Sequence, residues 1–267
     1  MYTHLALAFV VGGAFVALCA LAAERLGARI GGIVAGLPST AAITLAAVAL
    51  TDSPQEAVRE TTFIPVVLGL NALLFASYGR LARFGALPAL AGALVTWLCL
   101  ATLAIAFDRR DLATSLLLEA LGVAAGYAAL RGIAAAPSGG AVPHSGIVRT
   151  LARAAIGGSV IALGVWLTHV GGPFVGGMAA AFPAAGVSAL AIVAHARGVA
   201  FATGLLVPMM TSGAVSILAY ALAVRYTYVP LGVAAGTAIA LVIACGAAAL
   251  LLVLRPEPAA VRSANDD

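Results

Sequence analysis

Residues 12–49 align with residues 157–194 without a gap, at a constant offset of 145 positions. The paired positions include Gly12/Gly157, Gly13/Gly158, Gly27/Gly172, Gly31/Gly176, Gly32/Gly177 and Pro38/Pro183. Glycine and proline are held in place by backbone geometry rather than by general apolarity, so their coincidence constrains the chain to fold the same unit twice. The flanking charges differ between the copies. The loop after the first apolar segment carries Arg25 and Arg29, whereas its counterpart has only His169. The next loop is acidic in the first copy (Asp52, Glu56, Glu60) and basic in the second (His195, Arg197). Positive loops stay on the cytoplasmic side of a membrane, so the two copies are expected to be inverted relative to each other.

A membrane location follows from composition: 63% of residues are hydrophobic and 9% are charged. That is far from the quarter or so of charged residues in a soluble domain. All fourteen basic side chains are arginines scattered through short loops, where they set orientation and meet lipid headgroups. The net charge of +4 is therefore no sign of a nucleic-acid partner. Cys19, Cys99 and Cys245 lie in apolar runs without metal or redox spacing and read as buried packing residues. No phosphate-binding loop, zinc-ligand spacing, nucleophile elbow or dinucleotide fingerprint occurs, so neither an enzyme nor a cofactor or metal is indicated. The first apolar segment resembles a signal peptide in its small residues Ala20 to Ala23. It lacks the usual positive start and belongs to the repeat, so it reads as the first transmembrane helix.

Apolar stretches of about 20 residues, long enough to cross a hydrocarbon core of roughly 30 Å, fall near 4–23, 30–50, 61–79, 86–107, 111–131, 149–168, 173–195, 199–223 and 229–253. The expected fold is an all-α, polytopic membrane protein of about nine transmembrane helices, two inverted four-helix repeats joined by a connecting helix. Its parts are a first repeat (1–107), the connecting helix and a flexible loop (108–147), a second repeat (148–254) and a cytoplasmic tail (255–267). Four helices return a chain to its starting side, so the segment 111–131 supplies the crossing that inverts the second copy. Odd-numbered loops and the tail hold Arg25, Arg29, Arg80, Arg83, Arg131, Arg149, Arg153, Arg197, Arg255 and Arg262. Even-numbered loops hold only Arg59, Arg109, Arg110 and Arg225. The amino terminus is thus expected outside and the carboxyl terminus in the cytoplasm.

Gly31–Leu50 and Gly176–His195, reading GGIVAGLPSTAAITLAAVAL and GGMAAAFPAAGVSALAIVAH, resemble the proline-centred second helix of the small four-helix GlpM-type membrane proteins. Tyr220 and the run Tyr228-Val229-Pro230, taken as opening the last span, are similar too. The resemblance covers one four-helix unit at a time. It implies an inner (plasma) membrane location and a link to envelope polysaccharide production, and it brings no catalytic residues. The halves differ at Leu37 against Phe182, and at Pro65 and Asn71 against Pro208 and Ser216.

Pro38 and Pro183 are placed some 12–15 Å into their helices at 1.5 Å per residue, near the bilayer centre. A proline there frees a carbonyl one turn earlier, at Val34 and Ala179, which lipid cannot satisfy. Paired interruptions in corresponding helices point to a transporter's binding site; kinked helices packed through small residues are the plainer explanation. Ser39, Thr40 and Thr44 follow Pro38, and Ser188 follows Pro183. Their hydroxyls could bind a ligand or bond back to the helix. Asn71 and Ser216 share one repeat position, and Thr211 and Ser212 add polar groups nearby. All could line a substrate cavity or join helices.

Glu119 sits mid-span, where a charge costs at least about 3 kcal/mol. With Ser115, Gly122 and Gly126 it forms a stripe at helical spacing that should face protein rather than lipid. Proton coupling is its functional reading, and a single structural hydrogen bond the alternative.

Two functions follow: a secondary transporter or exporter of a small solute, lipid-linked metabolites included, or a non-transporting scaffold for envelope assembly. The partners are the lipid bilayer, an unidentified small-molecule substrate and a second copy of the chain in a homo-oligomer. With the native cysteines removed, a cysteine at Ser138 should be protected from an impermeant thiol reagent in intact cells, and one at Ser53 labelled. Labelling at both would leave eight spans and parallel halves.

Overall fold

The computed structural model describes residues 5–6, 9–14, 17, 33–34, 36–107, 111–133 and 146–254. Arg25, Arg29, Cys19, the pairs at Gly27, Gly31 and Gly32, Asp108 to Arg110, the linker 134–145 and the tail lie outside the described residues. Among those described, the chain is entirely helical. Six helical stretches are long and apolar enough to cross a membrane by length and composition.

After Pro38 comes α1 (Ser39–Thr51), the short α2 (Pro54–Glu60), α3 (Ile64–Leu81) and α4 (Ala86–Phe107). Next is α5 (Leu112–Leu130), then α6 (Ile147–Ala180). After Pro183 come α7 (Ala184–Arg197), the short α8 (Val199–Thr203), α9 (Leu206–Ser212) and α10 (Leu218–Leu231), joined by the π-helical turn Gly213–Ile217, and α11 (Val233–Leu254). The starts of α1 and α7, like those of α2 and α8, are 145 positions apart. The outer helices α4 and α11 are each 22 residues long. Each follows a glycine with positive φ, Gly85 at 105° and Gly232 at 80°, which turns the chain back on itself.

Local chemistry fixes several boundaries. Ser53 Oγ accepts the Glu56 amide at 3.1 Å and Pro54 opens α2, while Asp111 Oδ1 accepts the Thr114 amide at 2.7 Å to cap α5. Gln55, exposed beside this cap, is therefore a gentler position for a labelling cysteine than Ser53.

Several expectations change. Gly171, Gly172 and Pro173 do not separate two helices, since α6 runs unbroken through 34 residues. Proline is tolerated within membrane helices where its lost bond is made good by neighbours. The interruption instead falls at Ala181–Pro183. Tyr228, Val229 and Pro230 close α10 rather than opening the last helix, because the positive-φ turn comes two residues later, at Gly232. The acidic loop after α1 folds inward: Glu60 is fully buried, and Arg225 Nη1 donates to the hydroxyls of Thr61 (3.3 Å) and Thr62 (2.9 Å). Cys99 and Cys245 are exposed on α4 and α11 rather than buried. Both helices turn most of their apolar surface outward, as helices facing hydrocarbon can.

The centre is α3, whose membrane-length window is 72% buried against 22% for α4, α5 and α11. Ser115, Glu119, Gly122, Gly126 and Leu130 are the buried positions of α5, so the expected small-residue stripe does face protein. It meets α3 at Gly69: a Cβ on Gly122 would stand 2.6 Å from the Gly69 Cα. Gly122→Val should therefore lower the thermal midpoint in detergent, by an overpacking cost of about 1–3 kcal/mol. Gly246→Ala, whose new methyl meets nothing within 4 Å, should leave it unchanged.

Candidate functional site

The two proline breaks share one geometry. Pro38 has φ −74° and ψ 45°, Pro183 has φ −83° and ψ 56°. At each, the amide that follows donates to the carbonyl that precedes, Ser39 to Leu37 at 2.7 Å and Ala184 to Phe182 at 2.9 Å. These are inverse γ-turns centred on proline. One turn further on, the Ala42 amide reaches the Pro38 carbonyl and the Val187 amide reaches that of Pro183.

The expected free carbonyls at Val34 and Ala179 are in fact occupied. Leu37 donates to Val34 at 3.1 Å and Phe182 to Ala179 at 3.3 Å, because the chain tightens before each proline. The carbonyls that need outside help lie two residues later. Asn71 Nδ2 on α3 donates to Ala181 at 2.8 Å, and Ser216 Oγ donates to Gly36 at 2.9 Å. Positions 71 and 216, like 36 and 181, are 145 apart. Each break is therefore closed by a side chain far away in the chain, and the two closing residues stand at the same offset as the carbonyls they hold. Ser212 adds a bond to the Ile33 carbonyl at 2.8 Å. Ser212 and Ser216 flank and occupy the π-helical turn, which has no counterpart in α3. Such bulges shift side-chain register and recur at functional sites.

A second reciprocal contact lies near the start of each copy. A Cβ on Gly13 would press on the carbonyl oxygen of Ala154, and one on Gly158 on that of Phe9. Again both partners are separated by 145 positions.

Between the breaks lies a cavity lined by both prolines, by Ser39, Thr40 and Asn71, and by apolar groups including Leu68, Phe75, Phe182, Met209 and Ile217. Corresponding positions 37 and 182, 40 and 185, 41 and 186, 68 and 213 all reach it. In this conformation its space for water-sized particles is about 30 Å³, enough for a water or two.

Pro38, Ser39, Thr40, Asn71 and Pro183 are thus brought together, and the remaining candidates are not. Ser188 donates to the carbonyls of Ala184 and Ala185 within its own helix. Thr211 donates to Val207 and is bonded to the Tyr127 hydroxyl. Thr44 is fully buried one turn beyond Thr40 and its hydroxyl has no partner among the described residues. Ser212 and Ser216 act on the break carbonyls rather than on the cavity. Glu119 is buried against α3, and its Oε2 has no partner among the described residues. Gly126, two turns on, lies against Met210, which lines the cavity.

Trp97 was not legible as a site residue. Its Nε1 donates to Asn71 Oδ1 at 2.9 Å and its ring meets Phe182 edge-on, centroids 4.9 Å apart. Asn71 and Trp97 stand thirteen residues either side of Phe84, so a hairpin reading of α3 and α4 would have placed them side by side. Among the residues that form these helices the chain holds no group of three metal-binding side chains.

Residues 5–109 match a family described as Protein of unknown function (DUF3147). The match ends two residues beyond α4 and so covers one succession of elements. No curated protein and no solved structure matches the chain.

Asn71→Leu should cost about 1–3 kcal/mol for each partner it strands, the Ala181 carbonyl and the Trp97 indole. Ser216→Ala strands one. Thermal unfolding in detergent should therefore show the larger drop for Asn71→Leu; equal drops would mean that the indole bond contributes nothing.

Proposed function

We propose that this protein is a secondary transporter or exporter of a small solute, in which two inverted halves, 1–107 and 148–254, exchange access around the cavity between Pro38 and Pro183. In this reading α5 is the connecting crossing, the chain spans the inner membrane several times, and the amino terminus lies outside. The observation that carries the proposal is the reciprocal closure of the breaks: Asn71 holds Ala181 and Ser216 holds Gly36. Discontinuous helices that meet at the bilayer midplane across a repeat interface are where secondary transporters bind their cargo. Closure of each break from the other half also suits alternating access, in which a second arrangement is reached by exchanging the roles of the halves. Pro38, Ser39, Thr40, Asn71 and Pro183 form the site, with Ser216 supporting it. Glu119 is its proton-coupling group, linked to the cavity through the packing of α5 on Met210.

The test is access. In a cysteine-free background, single cysteines at Thr40 and Ala185 should react with a membrane-impermeant thiol reagent from either side of oriented vesicles. Labelling from one side should slow when Asn71→Leu or Ser216→Ala shifts the balance. Cysteines inert from both sides would favour the scaffold. Glu119→Gln should abolish flux driven by a proton gradient and spare exchange at equal pH on both sides; unchanged gradient-driven flux would remove Glu119 from the mechanism.

A further inference from the structure

We infer that the cavity between the two breaks binds a small monovalent anion, a carboxylate or a halide; this rests on the transporter reading and names its cargo class. The helices α1 and α7, of 13 and 14 residues, both begin at the cavity. Four amides at the start of a helix lack partners within it. In α1, the Ser39 and Ala42 amides are bonded to Leu37 and Pro38, which leaves those of Thr40 and Ala41. In α7, Ala184 and Val187 are bonded to Phe182 and Pro183, which leaves those of Ala185 and Gly186. All four remaining residues line the cavity.

Side chains point the same way. Ser39 is 3% exposed and Thr40 6%, both line the cavity, and neither hydroxyl is bonded to another described residue. Buried hydroxyls without partners are costly unless something fills the space between them. The carbonyls nearest the cavity each already accept a hydrogen bond. The Gly36 and Ala181 carbonyls are held by Ser216 and Asn71, and those of Leu37 and Phe182 by the γ-turns. Among the described residues no charged side chain lines the cavity. The site is therefore a cluster of donors in apolar walls.

Magnitude selects the charge. Each helix start carries the equivalent of about +0.5 elementary charge, so two converging on one space offer about +1. That balances one negative charge and leaves a dianion such as sulfate half uncompensated in a medium that cannot screen it.

The probe is Trp97, which packs on the cavity-lining Phe182. In full-length Trp166→Phe protein in detergent, Trp97 emission should change saturably with sodium acetate or sodium chloride at constant ionic strength, and not with sodium sulfate. Which of acetate and chloride is bound more tightly separates the two sources of the shared chemistry. Adding Ser39→Ala and Thr40→Val together should weaken that binding by about 10-fold or more, as expected when hydrogen bonds to a charged group are lost. Thr102→Val, on the exposed face of α4, should not. A saturable sulfate response equal to that of the monoanions, the absence of any monoanion response, or binding unaffected by the Ser39/Thr40 change would overturn the inference. If cysteines at Thr40 and Ala185 are accessible from both sides while no monoanion binds, the anion class fails and the transporter reading stands. If they are inaccessible as well, both fall.

Discussion

Lipid offers no hydrogen bonds, and every backbone group at membrane depth must find a partner within the protein. That constraint governs this fold, because the chain breaks two helices at prolines and leaves polar backbone in its interior. The solution is crossed: the amide of Asn71 reaches the Ala181 carbonyl and the hydroxyl of Ser216 reaches that of Gly36. Neither break is satisfied by its neighbours in the chain alone. The central position of α3, the approach of Gly36 to Ser212 and the π-helical turn before α10 can all be understood as bringing these donors to those carbonyls.

The same arrangement accounts for the cavity. Once the carbonyls are engaged by the opposite half, what remains at each break is the donor end of a helix. Bonding that stabilises the breaks therefore occupies the nearest carbonyls and leaves amides and hydroxyls facing apolar side chains. In the proposed reading stability and recognition share atoms, so variants of Asn71 act on both. Variants of Ser39 and Thr40 separate them, since their hydroxyls hold no other part of the fold.

Much of this was legible from residue types and spacing. The outer helix Ala86–Phe107 coincides with its apolar run, and the buried stripe of α5 follows the small residues and Glu119. The equivalence of Asn71 and Ser216 is visible as a shared repeat position. What misled was punctuation. Gly171-Gly172-Pro173 reads as a loop, yet a helix can continue through it when neighbours compensate, whereas the real interruption at Ala181–Pro183 has no more glycine than its surroundings. The carbonyls left over by each proline were misplaced by two residues, because the backbone tightens locally before it breaks and satisfies the nearer ones itself.

The sequence by itself determined a membrane-embedded, all-helical chain and the two proline positions, since apolar run length and proline's missing donor are local properties. It also marked positions 71 and 216 as corresponding polar sites. Only the tertiary structure decided what those sites touch. Hydrogen-bond partners 110 and 180 residues apart in the chain, the indole of Trp97 beside Asn71, and the meeting of two helix starts around one cavity depend on how helices pack. Packing is set by contacts between distant small residues such as Gly69 and Gly122, for which no spacing rule along the chain exists.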